Sequence, residues 1–238
     1  MPAFAGFSED AVKFFRTLRK NNTREWFQPR KDIFDSSIRA VMEDLVGHIN
    51  HEFGKFAPLH IAEPKKAIYR IYRDTRFSND KTPYKTHIAA NFPRQGMEKH
   101  SAAGYYFSVS DEEVEFAGGV YMPLPDGLLA LRNHIVENDA RFARIVAHKK
   151  LVESMGPLYG GSLTRVPKGF DANHASADFI RMKQWMFFKA IKGPAMMRSP
   201  DLLKEVVMRF KLVAPLVVFL NEPLERVLRR ASSAGRLV

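Results

Sequence analysis

Residues 70 to 87 read RIYRDTRFSNDKTPYKTH, a run with five lysines and arginines, two aspartates, three aromatic residues and one histidine. Five cations against two carboxylates leave three positive charges over, more than a self-neutralising network needs. If residues 68 to 77 are extended, alternation puts Arg70, Asp74 and Arg76 on one face and Tyr69, Ile71, Arg73 and Phe77 on the other. An aspartate between two arginines on one face holds their guanidinium forks, and held forks grip phosphate or carboxylate bidentately. Lys81, Tyr84, Lys85 and His87 follow a turn set by Pro83 and are expected to close over the same anion. The expected ligand-binding set is therefore Arg70, Arg73, Arg76, Lys81, Tyr84 and Lys85, with Lys168 approaching from a later loop. The same array also fits a structural Arg-Asp network that cross-links the fold without a ligand.

Proton chemistry has three candidates. His87 is the group at the end of the run that titrates near neutrality. Asp74 sits inside the run, and Asp171 lies in the loop PKGFDANH with His174 three residues on. Asp171 and His174 alone are too few ligands for a metal site, so no metal and no cofactor are expected. Other chemistries lack their residues. The chain has no cysteine, no G-x-S-x-G elbow, no phosphate-binding G-x-x-x-x-G-K-[ST] loop and no dinucleotide fingerprint. The run Tyr105-Tyr106-Phe107 suggests a stacking platform, but alternation brings only Tyr105 and Phe107 together, which favours core packing.

The elements that must carry these residues follow from periodicity. Ser8, with Glu9 and Asp10 behind it, starts a helix over 8–20 whose face is Val12, Phe15 and Leu18, with Asn21-Asn22 ending it in a left-handed turn. A second, longer helix is predicted from near Pro29 to a stop at Gly54. Period two then takes over in KKAIYRIYRD, THIAANF, AGYYFSVS and EEVEFAGGVYM, with RQGMEKHSA and SDEE as turns. Gly118-Gly119 marks a bulge or a close backbone approach. Two helices separated near Asn138-Asp139 follow, and IRMKQWMFFKAI is read as a further strand. Ser199-Pro200 starts the last helix, which Pro215 is expected to kink or break. The fold class expected is α+β: a single antiparallel sheet of about 4–6 strands with flanking helices, the N- and C-terminal helices packed on it. One domain over 1–238 is expected, with a core of about 4–228 and a frayed basic tail at 229–238.

Of 238 residues, 37 are Lys or Arg and 26 Asp or Glu, for a net charge of +11. That favours an anionic small molecule or nucleic acid as partner. The longest apolar stretch, residues 212–220, is too short to span a bilayer. No signal peptide is read at the N-terminus, and a cytoplasmic location is expected.

Four segments, NNTREWF at 21–27, RIYRDTRFSNDKTPYKTH at 70–87, GGVYMP at 118–123 and PKGFD at 167–171, stand in the order of a known family. Together, over roughly residues 4–228, the chain resembles the bacterial and fungal family called domain of unknown function 2461. The resemblance implies a single domain and carries no activity, cofactor or catalytic residue with it. Three function classes therefore stay open: a binding module for an anion, an enzyme acting on a phosphorylated or nucleic-acid substrate, and a protein-protein adaptor with a structural Arg-Asp network.

Overall fold

A computed structural model describes residues 3–97 and 100–234. Helix α1 spans Glu9–Lys20. Its N-cap Ser8 accepts a hydrogen bond from the Ala11 amide at 3.3 Å, and Glu9, Asp10 and Arg19, Lys20 sit at the ends that suit their charge. Val12, Phe15 and Leu18 are buried, as their spacing predicts. Asn21 ends α1 differently from expectation. Its φ is −133°, and its side chain donates to the Thr17 carbonyl at 3.0 Å, so a hydrogen bond replaces the left-handed turn.

The expected second helix is a composite. Helix α2 (Arg24–Phe27) runs into a 3-10 turn (Gln28–Arg30), α3 (Lys31–Phe34), a π-helical turn (Asp35–Arg39) and α4 (Ala40–Phe56). The Ser36 hydroxyl donates to the Asp32 carbonyl at 2.7 Å, competing with the ladder where the π turn begins. The helix passes through Gly54 and stops at Ala57, since Pro58 bars its predecessor from the α region.

After a single turn, α5 (Pro64–Ala67), residues 68–73 bend at Ile71 and form no regular strand, which corrects the period-two reading there. Ile68 bridges Ala90 and Tyr72 bridges Tyr84, both antiparallel. Pro83 has no amide to donate. Asp74 and Asp80 accept from the amides of Arg76 and Thr82, two residues on, and pull the backbone into turns.

Strands β1 (Ile88–Phe92), β2 (Gly104–Val109), β3 (Glu113–Val120) and β4 (Trp185–Lys192) form one four-stranded antiparallel sheet in sequence order. Between β3 and β4 lie α6 (Pro125–Glu137), α7 (Asp139–Val146), α8 (Lys149–Met155) and α9 (Ala177–Ile180). After β4 come α10 (Ala195–Arg198) and α11 (Leu202–Ala234). The α+β expectation holds. Helix α11 runs on through Pro215 and Pro223. Pro215 is on its exposed side while Val213, Leu216, Val217, Phe219 and Leu220 are buried, so packing offsets the lost hydrogen bond. The first part of the tail expected to fray is therefore helical through Ala234, and residues 235–238 lie outside the described residues. No described helix is long and apolar enough to cross a membrane.

The chain groups into two compact units, passing from one to the other five times. The first holds residues 1–92, 106–116 and 190–208; the second holds 93–105, 117–189 and 209–238. The core of the first is aromatic: Phe14, Phe27, Phe34, Phe53, Phe92 and Phe107 are buried, with rings such as Phe53 and Phe92 5.1 Å apart. In the second, Tyr105 packs on Phe210 at 5.0 Å, and Gly118-Gly119 is a close approach as expected. A Cβ on Gly118 would come within 2.4 Å of Val213, and one on Gly119 within 2.1 Å of the Trp185 carbonyl oxygen.

Candidate functional site

The segment 70–87 belongs to the first unit, and the residues NNTREWF hold it there. Asn22 donates to the Tyr84 carbonyl at 2.9 Å and accepts from the Tyr84 amide at 3.0 Å, imitating a neighbouring strand. Thr23 caps α2, which places Phe27 against Tyr84 in a parallel stack at 4.2 Å. Such a stack contributes about 0.5–1.5 kcal/mol beyond the area it buries. Tyr84 is 1% exposed, and burial raises the pKa of its phenol.

The tip of the segment is paired within itself. Arg76 meets the two carboxylate oxygens of Asp74, Nε at 3.0 Å and Nη2 at 2.7 Å. Those bonds hold the Asp74 pKa down to about 2, with Arg70 adding a smaller electrostatic share. Arg73 bonds Asp80 and Thr82, and Asp80 is likewise held at about 2, chiefly by Arg73. Lys81 donates to the Thr75 carbonyl at 2.9 Å. Phe77 stands 94% exposed with the Arg76 guanidinium 5.7 Å from its ring centre. Lys85 lies 5.1 Å from the centre of the Tyr69 ring. His87 is half-buried, and desolvation followed by the charges of Lys85 and Arg19 lowers its pKa, so it is neutral at pH 7.

The base of the segment is arranged differently. There a cleft of about 170 Å3 opens between residues 68–72 and the composite helix. Arg70 lines it, and so do Lys65 from α5, Lys31 from α3, and Asp35 and Arg39 from the π turn. Lys31 pairs with Asp35, which with its neighbouring charges raises the lysine pKa. Arg39 pairs with Glu43 at 3.2 Å. Lys65 and Arg70 have no ion-pair partner among the described residues. Four cations thus face one cleft with one carboxylate, above Phe27, Phe34, Ile71 and Ile88.

Of the residues expected from sequence, the structure brings Arg70 to this cleft. It places Arg73, Arg76 and Lys81 at the paired tip, and Tyr84 in the core beneath. Lys168, Asp171 and His174 belong to the second unit. Lys168 is exposed, Asp171 accepts from the Asn173 amide at 2.9 Å, and His174 Nδ1 accepts from the Ser176 amide at 3.0 Å. Sequence reasoning missed Lys31, Asp35, Arg39 and Lys65. The first three do carry a signal: charges at steps of four share a side of a helix.

These elements define an α+β protein whose first unit carries a basic cleft. The chain belongs to the family described as "Conserved hypothetical protein (DUF2461)", whose model matches residues 10–219. No curated protein and no solved structure matches the chain.

Proposed function

We propose that the protein is an anion-binding module and that its site is the cleft at the base of the segment 70–87. One observation carries the reading: Lys31, Arg39, Lys65 and Arg70 face a single cleft whose lining holds one carboxylate, Asp35. Like charges gathered this way repel one another, and an oxyanion among them relieves the repulsion while taking charge-assisted hydrogen bonds. Arg70 and Lys65 are the main ligands, since no carboxylate competes for them in an ion pair. Asp35 holds Lys31 in place, and Arg39, partly satisfied by Glu43, completes the mouth. The paired tip favours a structural role for Arg73, Arg76 and Lys81, with Asp74 and Asp80 fixing the loop. Proton transfer is no part of the reading, because His87 does not line the cleft.

The test is calorimetric titration of the full chain with inorganic phosphate and with sulfate at low salt, beside Arg70→Ala and Arg76→Ala. Binding that Arg70→Ala weakens roughly tenfold or more and Arg76→Ala leaves intact supports the site. Equal loss in both variants, or no binding by the unaltered chain, rejects it.

A further inference from the structure

The four cations specify only the head of a ligand; beside them and Asp35, the cleft is walled by aromatic and aliphatic side chains. Phe27 and Phe34 are buried beneath it with ring centres 5.7 Å apart, and Ile71 and Ile88 are buried beside them. Tyr72 is the exception in this company. Its ring is 6.4 Å from Phe27 and 5.4 Å from Tyr84, yet the residue stays 45% exposed at the cleft. A half-covered ring beside a buried aromatic cluster leaves a face on which another ring can stack. The Tyr72 phenol also lies near enough to Lys31 to contribute to the raised pKa of that lysine, so ring and charge serve one spot.

Size narrows the choice further. The cleft holds about 170 Å3. A dry engineered cavity of about 150 Å3 accepts benzene, so this space fits one ring. A bare phosphate would leave most of it to water against apolar walls. A polynucleotide could put no more than a single base there, and its other phosphates would lie beyond the four cations.

We infer that the ligand of this cleft is a small organic oxyanion: one planar ring against Tyr72 and Phe27, carrying a phosphate or carboxylate that meets Arg70, Lys65 and Arg39. This rests on the anion-binding reading and adds the body of the ligand to its head. Recognition of this kind joins an apolar lining to a few placed polar groups, the usual build of a small-molecule site.

The experiment is a titration of the full chain with inorganic phosphate, phenyl phosphate, benzoate, benzyl alcohol and a short single-stranded DNA. It is repeated on Tyr72→Leu, which keeps apolar volume but removes the ring, and on Arg70→Ala. Thermal melting of each variant confirms folding. Phenyl phosphate or benzoate should bind roughly tenfold or more tighter than inorganic phosphate, as burying and stacking one ring implies. Tyr72→Leu should erase that gain and keep phosphate binding, and Arg70→Ala should weaken binding of both anions roughly tenfold or more. Benzyl alcohol, with a ring and no charge, should not bind measurably. Equal affinity for phosphate and phenyl phosphate would overturn the ring while leaving the anion site standing. DNA binding tighter than phenyl phosphate would replace the small ligand with a polynucleotide. Silence from every anion would end this inference and the anion-binding reading together.

Discussion

Arg70 and Arg76 leave the same segment six residues apart, on what alternation would make the same side, and meet opposite surroundings. At the tip, Asp74 takes two nitrogens of the Arg76 guanidinium, and Asp80 takes one nitrogen of Arg73. At the base, Arg70 has no such neighbour and joins three other cations around a cleft. The two regions have similar composition, and what separates them is the position of two aspartates. Each aspartate accepts from an amide two residues on, which closes a local turn, and its carboxylate then takes a nearby cation, Arg76 for Asp74 and Arg73 for Asp80. A cation without one remains available to something that is not part of the chain. Local charge excess is therefore best read after such pairs are removed.

The largest expected effect tests a buried ring that both regions share. Phe27 stacks on Tyr84 under the tip and also lines the cleft, at 1% exposure. Phe27→Ala should cost about 3–5 kcal/mol of unfolding free energy, read by urea denaturation. A loss below about 1 kcal/mol would mean the ring anchors neither region. Next comes Arg70→Ala, which should weaken oxyanion binding roughly ten- to a hundredfold, the worth of a hydrogen bond to a charged group, with no change in Tm. If Tm falls as well, Arg70 holds the fold together and is not a residue kept free for a ligand.

A smaller effect concerns the far end of the segment. The His87 pKa is lowered below 6.5 in the folded chain, chiefly by burial. As pH falls through 6.5, the unfolded chain takes up the proton first, so the stability His87 provides as a neutral group is full above that value and drains below it. The Tm of His87→Gln should therefore fall less between about pH 7 and pH 5 than that of the unaltered chain. Parallel Tm curves would show that His87 titrates as it does in the unfolded chain. The smallest effect is Arg76→Ala. Arg76 is well exposed, and surface ion pairs contribute little, so neither Tm nor anion affinity should move measurably. A clear loss of affinity there would erase the contrast between tip and base.

Much of this fold is legible in the sequence because its signals are local. Ser8 with two acidic residues behind it announces α1, and Gly118-Gly119 announces the close approach of β3 to its neighbours. The segment 64–77 misleads because alternation of Ile and Tyr speaks of side-chain faces and says nothing of the ladder. Pro64 starts a helical turn, Pro83 withholds an amide, and Asp74 and Asp80 claim others. The cleft is half legible. Arg70 stands out in its run, but its facing wall comes from a stretch some thirty residues earlier that reads as an ordinary charged helix. The four-residue spacing of Lys31, Asp35 and Arg39 marks a shared side of a helix but not what that side faces, and only the fold brings Lys31 and Arg39 opposite Lys65.

The interleaving of the two units has a consequence for synthesis. The first unit needs residues 1–92 and, to be complete, residues up to 208. At about 5–20 residues per second, the ribosome takes roughly 6–23 s to cross the gap from 92 to 208. Throughout that interval Phe14, Phe27, Phe34 and Phe53 are already outside the peptidyl-transferase centre, while β4 and α10 are still unmade. Neither unit can be translated to completion before the other has begun, and the first unit waits for its last residues through about half of the chain's synthesis.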